Sequence, residues 1–136
     1  LVIKLHSKRL EAGGGSVIDK QELLFKQLKE IKDYWVETAN DGLNEDQDMI
    51  WSQVEEEYKV LRTKITSQAE REAYQKVVDE VIKGVMHSVL VMIDGGDELA
   101  ENVLIDLTER DTNESLSGQT ALHEEFFGYL LDTEDE

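Results

Sequence analysis

Apolar positions along most of this chain recur at helical spacing. Leu24, Leu28, Ile31 and Trp35 fall at steps of four, three and four, which predicts a helix over about residues 19–39. Asn40-Asp41-Gly42 supplies its stop. Asn44 with Gln47 has the spacing of a capping box and opens a second helix with Ile50, Val54, Tyr58, Leu61 and Ile65 on one face. Ser67 with Glu70 repeats that signature ahead of a third helix carrying Tyr74, Val77, Val78, Val81, Ile82 and Val85. Past Gly84 this helix is apolar nearly all round, through Ile93. Such a helix belongs at the centre of a fold, with Val85, Val89 and Ile93 buried. The β-branched run at residues 89–93 also suits a strand, but the helical register continues through it, and Asp94-Gly95-Gly96 offers a left-handed stop.

The spacing changes after that stop. Val103, Ile105 and Leu107 alternate with Leu104, Asp106 and Thr108, as in a strand. Residues 110–113 are turn chemistry, and residues 114–116 could return. Thr120 then sits where a cap would precede a last helix with Leu122, Phe126, Tyr129 and Leu130 on one face. The expected fold class is α+β, mostly α: a three-helix bundle with residues 76–93 central, a small β-hairpin and a C-terminal helix.

The start of the chain differs from the rest. Residues 1–11 mix Leu1, Val2, Ile3, Leu5 and Leu10 with Lys4, Lys8 and Arg9, and a Gly/Ser linker follows at residues 12–16. The expected division is a tethered basic peptide or tag at 1–11, the linker, an acidic helical domain at 17–131 and an acidic tail at 132–136. The first eleven residues hold three bases and one acid. With −17 on the whole chain, the remainder carries −19. That arrangement resembles a ligand fused to its receptor, with Ile3, Lys4, Leu5, Lys8 and Arg9 as the tethered ligand.

Charge narrows the choice of partner. A chain at −17 lacks the clustered Lys and Arg that neutralise phosphates, so neither nucleic acid nor an anionic membrane surface is expected as a direct partner. No apolar run reaches the ~18–20 residues of a membrane span. The absence of cysteine excludes disulfides and thiolate metal sites and fits a reducing cytoplasm. The absence of proline favours uninterrupted helices. A basic protein or peptide segment is the expected partner.

Candidate chemistry adds little. His87, His123, Glu124 and Glu125 could converge with Asp94 and Asp97, but no ligand spacing is specific, so no metal or cofactor is expected. His87 and Ser88 are helix neighbours and point apart, and no nucleophile or phosphate-loop motif is present. Aromatics flanked by acids are more informative. Trp35 with Asp33 and Glu37, Trp51 with Asp48, and Tyr58 with Glu57 suit a partner that presents aliphatic groups between Lys and Arg, and Trp35, Glu37, Asp48, Trp51, Glu55 and Tyr58 are the expected contact residues. The expected function is a non-enzymatic interaction module (adaptor, inhibitor or immunity-type protein) that binds or sequesters a basic, aliphatic segment. The alternatives are a DNA-mimic inhibitor of a nucleic-acid-binding protein and a His/carboxylate metalloenzyme.

The stretch Gly84-Val85-Met86-His87-Ser88-Val89-Leu90-Val91-Met92-Ile93-Asp94-Gly95-Gly96-Asp97, with Ala121-Leu122-His123-Glu124-Glu125-Phe126, resembles small acidic uncharacterised proteins of Gram-positive bacteria. The resemblance spans residues 84–131. It implies a bacterial, cytoplasmic setting and transfers no residue role.

Overall fold

The computed structural model describes residues 17–45 and 51–134. The proposed tethered segment, its linker and Asp48 lie outside the described residues. Among the described residues there are four α-helices: α1 Val17–Asp41, α2 Glu55–Lys64, α3 Gln68–Ile93 and α4 Leu122–Glu134. Short 3-10 turns at Ser52–Val54 and Glu98–Glu101 complete the order.

The bundle is built from α1, α3 and α4. Phe25 of α1 packs with Leu90 of α3 and with Leu122, Phe126 and Leu130 of α4. Lys32, two turns on, meets Asp79 of α3 and Glu134 at the end of α4. These pairings make α3 antiparallel to both α1 and α4. The buried face of α1 is Gln21, Phe25, Lys32, Val36 and Ala39. The expected stripe lies beside it. Leu24 and Leu28 pack at the edge of the core, and Trp35 is half-buried.

Two ends are well determined by local chemistry. Ser67 accepts from the Glu70 backbone N–H at 3.1 Å and its own N–H donates to the Glu70 carboxylate at 2.9 Å, the reciprocal capping box expected there. At the other end of α3, Gly96 N–H donates to Val91 C=O and Gly95 N–H to Met92 C=O, a Schellman closure with Gly95 at φ +77°.

Three expectations are corrected. The helices make up 71% of the structure, and the β-hairpin is not formed. In its place a single antiparallel bridge joins Thr108 and Ser115, flanked by Glu109 N–H to Glu114 C=O and Leu116 N–H to Leu107 C=O. Val103, Leu104 and Ile105 are exposed, at 50%, 81% and 38%, so their alternation has no half-buried face to serve. Second, α2 is not a bundle helix. It starts only at Glu55 and reaches the end of α1 through the Tyr58 side chain, while α4 takes the third place in the bundle. α4 also runs through Asp132, Thr133 and Glu134, which the sequence assigns to a tail.

The third correction concerns α3. Leu90 is buried, but Val85 and Val89 are 59% and 45% exposed. Among the described residues α3 packs on α1, α4 and the 3-10 turn after it. Tyr74 of α3 also meets Tyr58 of α2, and Val77, Val81, Val85 and Val89 remain exposed, an apolar face outside these contacts.

Candidate functional site

Tyr58 determines how the aromatic site is assembled. Its ring fills the space above Gly42, where an added Cβ would lie 2.5 Å from the ring. Its hydroxyl donates to Ala39 C=O at 2.8 Å and shares a hydrogen bond with the Tyr74 hydroxyl at 2.9 Å. Burial first, then the Tyr74 contact, pushes this phenol above its ordinary pKa. Arg62 Nε donates to Gly42 C=O at 2.9 Å and adds a second tie. Together these contacts hold α2 against the end of α1.

The segment leading into α2 then brings Trp51 onto Trp35. The two indoles stack with centroids 5.0 Å apart and planes 15° from parallel. Tyr34 meets Trp35 edge-on at 5.3 Å and is 39% exposed. Both tryptophans remain half-buried, so the stack keeps a surface toward solvent. Glu37 of α1 and Glu55 at the start of α2 are exposed acids in the same stretches of chain, but Glu37 and Asp33, two residues either side of Trp35, line a separate pocket against α3 with Glu72 and Asp79. Of the residues expected to contact a partner, the structure therefore brings Trp35 and Trp51 together and leaves Glu37 and Glu55 accessible. Tyr58 is corrected: at 4% exposure with both hydroxyl contacts internal, it is a core residue that positions the site.

A second cluster was not expected. Lys32 is only 2% exposed, yet its ammonium lies 2.6 Å from Asp33, 2.7 Å from Asp79 and 2.9 Å from Glu134. Lys83 joins it through Asp79 and Glu134. Glu134 Oε1 is within ionic distance of Lys32 but has no well-angled hydrogen bond, so we treat that contact as ionic. Burial works against the Lys32 charge, but hydrogen bonds to Asp33 and Asp79 and the ionic contact with Glu134 outweigh it and hold the pKa above the usual lysine range. For Asp79, burial raises the pKa, and Lys32 and Lys83 more than reverse it, leaving the carboxyl below its usual range. Asp33, Asp79 and Glu134 are close enough together to ligate a cation. The Lys32 ammonium stands between them and supplies that positive charge, so the cluster reads as an internal ion-pair network. The sequence signal was weak: Lys32 falls one helical turn from Leu28 and Val36, inside an apolar face.

The histidines also meet. His87 and His123 make an edge-on ring contact at 5.3 Å. His123 Nδ1 lies 2.6 Å from the Asp94 carboxylate, which also accepts the backbone N–H of Leu122 and His123. Asp94 therefore caps α4 from across the fold. Thr120, the expected cap, instead donates to Ser117 C=O. Glu124 stands 3.9 Å from His123 Nε2. Glu125 and Asp97 are exposed, and Asp97 caps its own 3-10 turn.

No helix among the described residues is long and apolar enough to cross a membrane. Compared with protein-family models, characterised proteins and solved structures, the chain matches none.

Proposed function

We propose that this chain is a non-enzymatic interaction module that binds a basic, aliphatic segment of a partner protein on the Trp35–Trp51 surface. The observation that carries the reading is the half-buried indole stack, which keeps a surface toward solvent on a chain of −17. Stacked aromatics supply rigid apolar area at low entropic cost, which is why tryptophan dominates binding hot spots. The negative charge of the whole chain favours Lys and Arg between the aliphatic groups and speeds encounter. A DNA mimic would need carboxylates along an extended face. The longest helix, α3, instead presents valines there, so that alternative loses support. The cytoplasmic, bacterial setting belongs to the same reading.

Residues 1–11 have the composition such a partner segment would have, and they enter as its first probe. The test is calorimetric titration of that peptide into the full chain carrying Ile3→Asp and Leu5→Asp, which stops its own N-terminus from competing. Saturable binding is expected, weakened at least about tenfold by Trp51→Ala, the size of one hot-spot residue. No saturation at roughly millimolar peptide, weaker than ~4 kcal/mol of binding, would contradict the proposal.

A further inference from the structure

The outer face of α3 carries a row of four valines at steps of four: Val77, Val81, Val85 and Val89. Their exposures are 62%, 59%, 59% and 45%. Such a row winds slowly around the helix, about 40° per step. Its first half borders the edge of α4, where Phe127 and Leu131 are 58% and 52% exposed. Between them runs an open groove with a cavity volume of about 450 Å³, lined by Gly84, His87, Phe126, Phe127, Leu130 and Leu131 among others. A Cβ at Gly84 would meet nothing within 4 Å, so backbone on the α3 wall is open to close approach.

We infer that this α3–α4 face is an interface between two copies of the chain. Three observations select a second copy as occupant. The first is charge. No carboxylate occurs from Val81 through Ile93, although the chain holds 31 acidic residues. The acids nearest the row, Glu80 and, across the groove, Glu134, already stand with Lys83, so a basic partner would meet that lysine and no unpaired acid from Val81 to Val89, whereas a like-charged copy can approach where acids are missing. The second is symmetry. A two-fold contact must be complementary to itself. Four identical residues evenly spaced meet that condition: in an antiparallel pair, Val77 faces Val89 of the partner copy and Val81 faces its Val85. The third is area. The four valines with Phe127 and Leu131 leave on the order of 550 Å² exposed on each copy. Complete covering of all six would bury at most about 1,100 Å² in the pair, so flanking polar groups must contribute for the contact to reach the size of a specific interface.

A row at steps of four packs into the matching groove of its mate at a crossing of about −50°. The crossing point falls near Gly84, where the missing side chain lets the helices come close. Charge elsewhere on the chain opposes association, so screening should favour it. This interface is distinct from the tryptophan surface and does not depend on it.

Sedimentation velocity of the full chain at roughly 100 μM, well above a micromolar Kd, tests the inference. Dimer is expected, and its dissociation constant should fall on going from about 0.05 M to about 0.5 M salt. Val81→Glu and Val77→Lys should each weaken association at least tenfold with far-UV circular dichroism unchanged, because both side chains already face solvent. Leu104→Glu, at the most exposed apolar residue, should leave it unchanged, as should Trp51→Ala. Four results would overturn the inference: a monomer at both salts, association that salt weakens, loss of dimer in Leu104→Glu but not in Val81→Glu, or a monomer whose α3 face binds a basic peptide. A failed peptide titration with an intact dimer would count against the tryptophan surface alone.

Discussion

Lys32 shows how a single residue can determine a structure that its own pattern hides. Its ammonium is enclosed by three carboxylates from α1, α3 and α4, and breaking such a buried network strands the remaining charges. Lys32→Met should cost about 3–5 kcal/mol at pH 7, measured by urea unfolding. Without Lys32, Asp79 and Glu134 keep only Lys83 and Asp33 keeps only Lys29, so the ionised acids are held less well than in the parent. The penalty should therefore shrink as pH falls toward about 4, where carboxylates protonate. The sign follows from the parent: the depressed Asp33 and Asp79 contribute fully above about pH 4 and lose that contribution as pH falls through their folded values. A penalty that is equal at pH 7 and pH 4 would show that Lys32 acts through packing alone. Gly42 is the second decisive residue. Gly42→Ala pushes a methyl into the Tyr58 ring and should destabilise by about 1–3 kcal/mol.

At the scale of elements, ends were more legible than partners. The Ser67–Glu70 box and the Gly95 stop could be read because each is made of neighbours in sequence. The cap of α4 could not, because Asp94 reaches it from 28 residues away. Asp94→Ala should cost about 0.5–2 kcal/mol, with Asp94→Asn retaining part of the capping. Thermal melts monitored by far-UV circular dichroism would rank the two, and an Ala variant as stable as the parent would remove Asp94 from this role. The hairpin expectation failed for a related reason. Alternation at residues 103–108 describes a strand only when a sheet waits for one face, and this fold offers none. The valine row misled in the same way. All-round apolarity in α3 was read as burial within one chain, and periodicity alone does not distinguish a core from an uncovered interface.

For the whole molecule, net charge is the governing quantity. At −17 the folded chain repels itself, and the buried network is screened less than the surface. Added salt should therefore raise the melting temperature, and a fall with salt would mean that exposed ion pairs dominate. The tryptophan surface was legible in part: Trp35, Trp51 and their acidic neighbours could be picked from sequence, but their stacking depends on Tyr58 reaching back across Gly42. The chain holds two tryptophans, and both lie in that stack. Indole fluorescence therefore reports on the proposed binding surface alone. The most direct test of its role is to titrate the Ile3→Asp, Leu5→Asp chain with the peptide of residues 1–11 and follow emission and acrylamide quenching. A saturable blue shift with reduced quenching is expected, lost when Glu replaces the peptide's Lys and Arg. Saturable binding by calorimetry with no change in either signal would place the partner elsewhere and contradict the account.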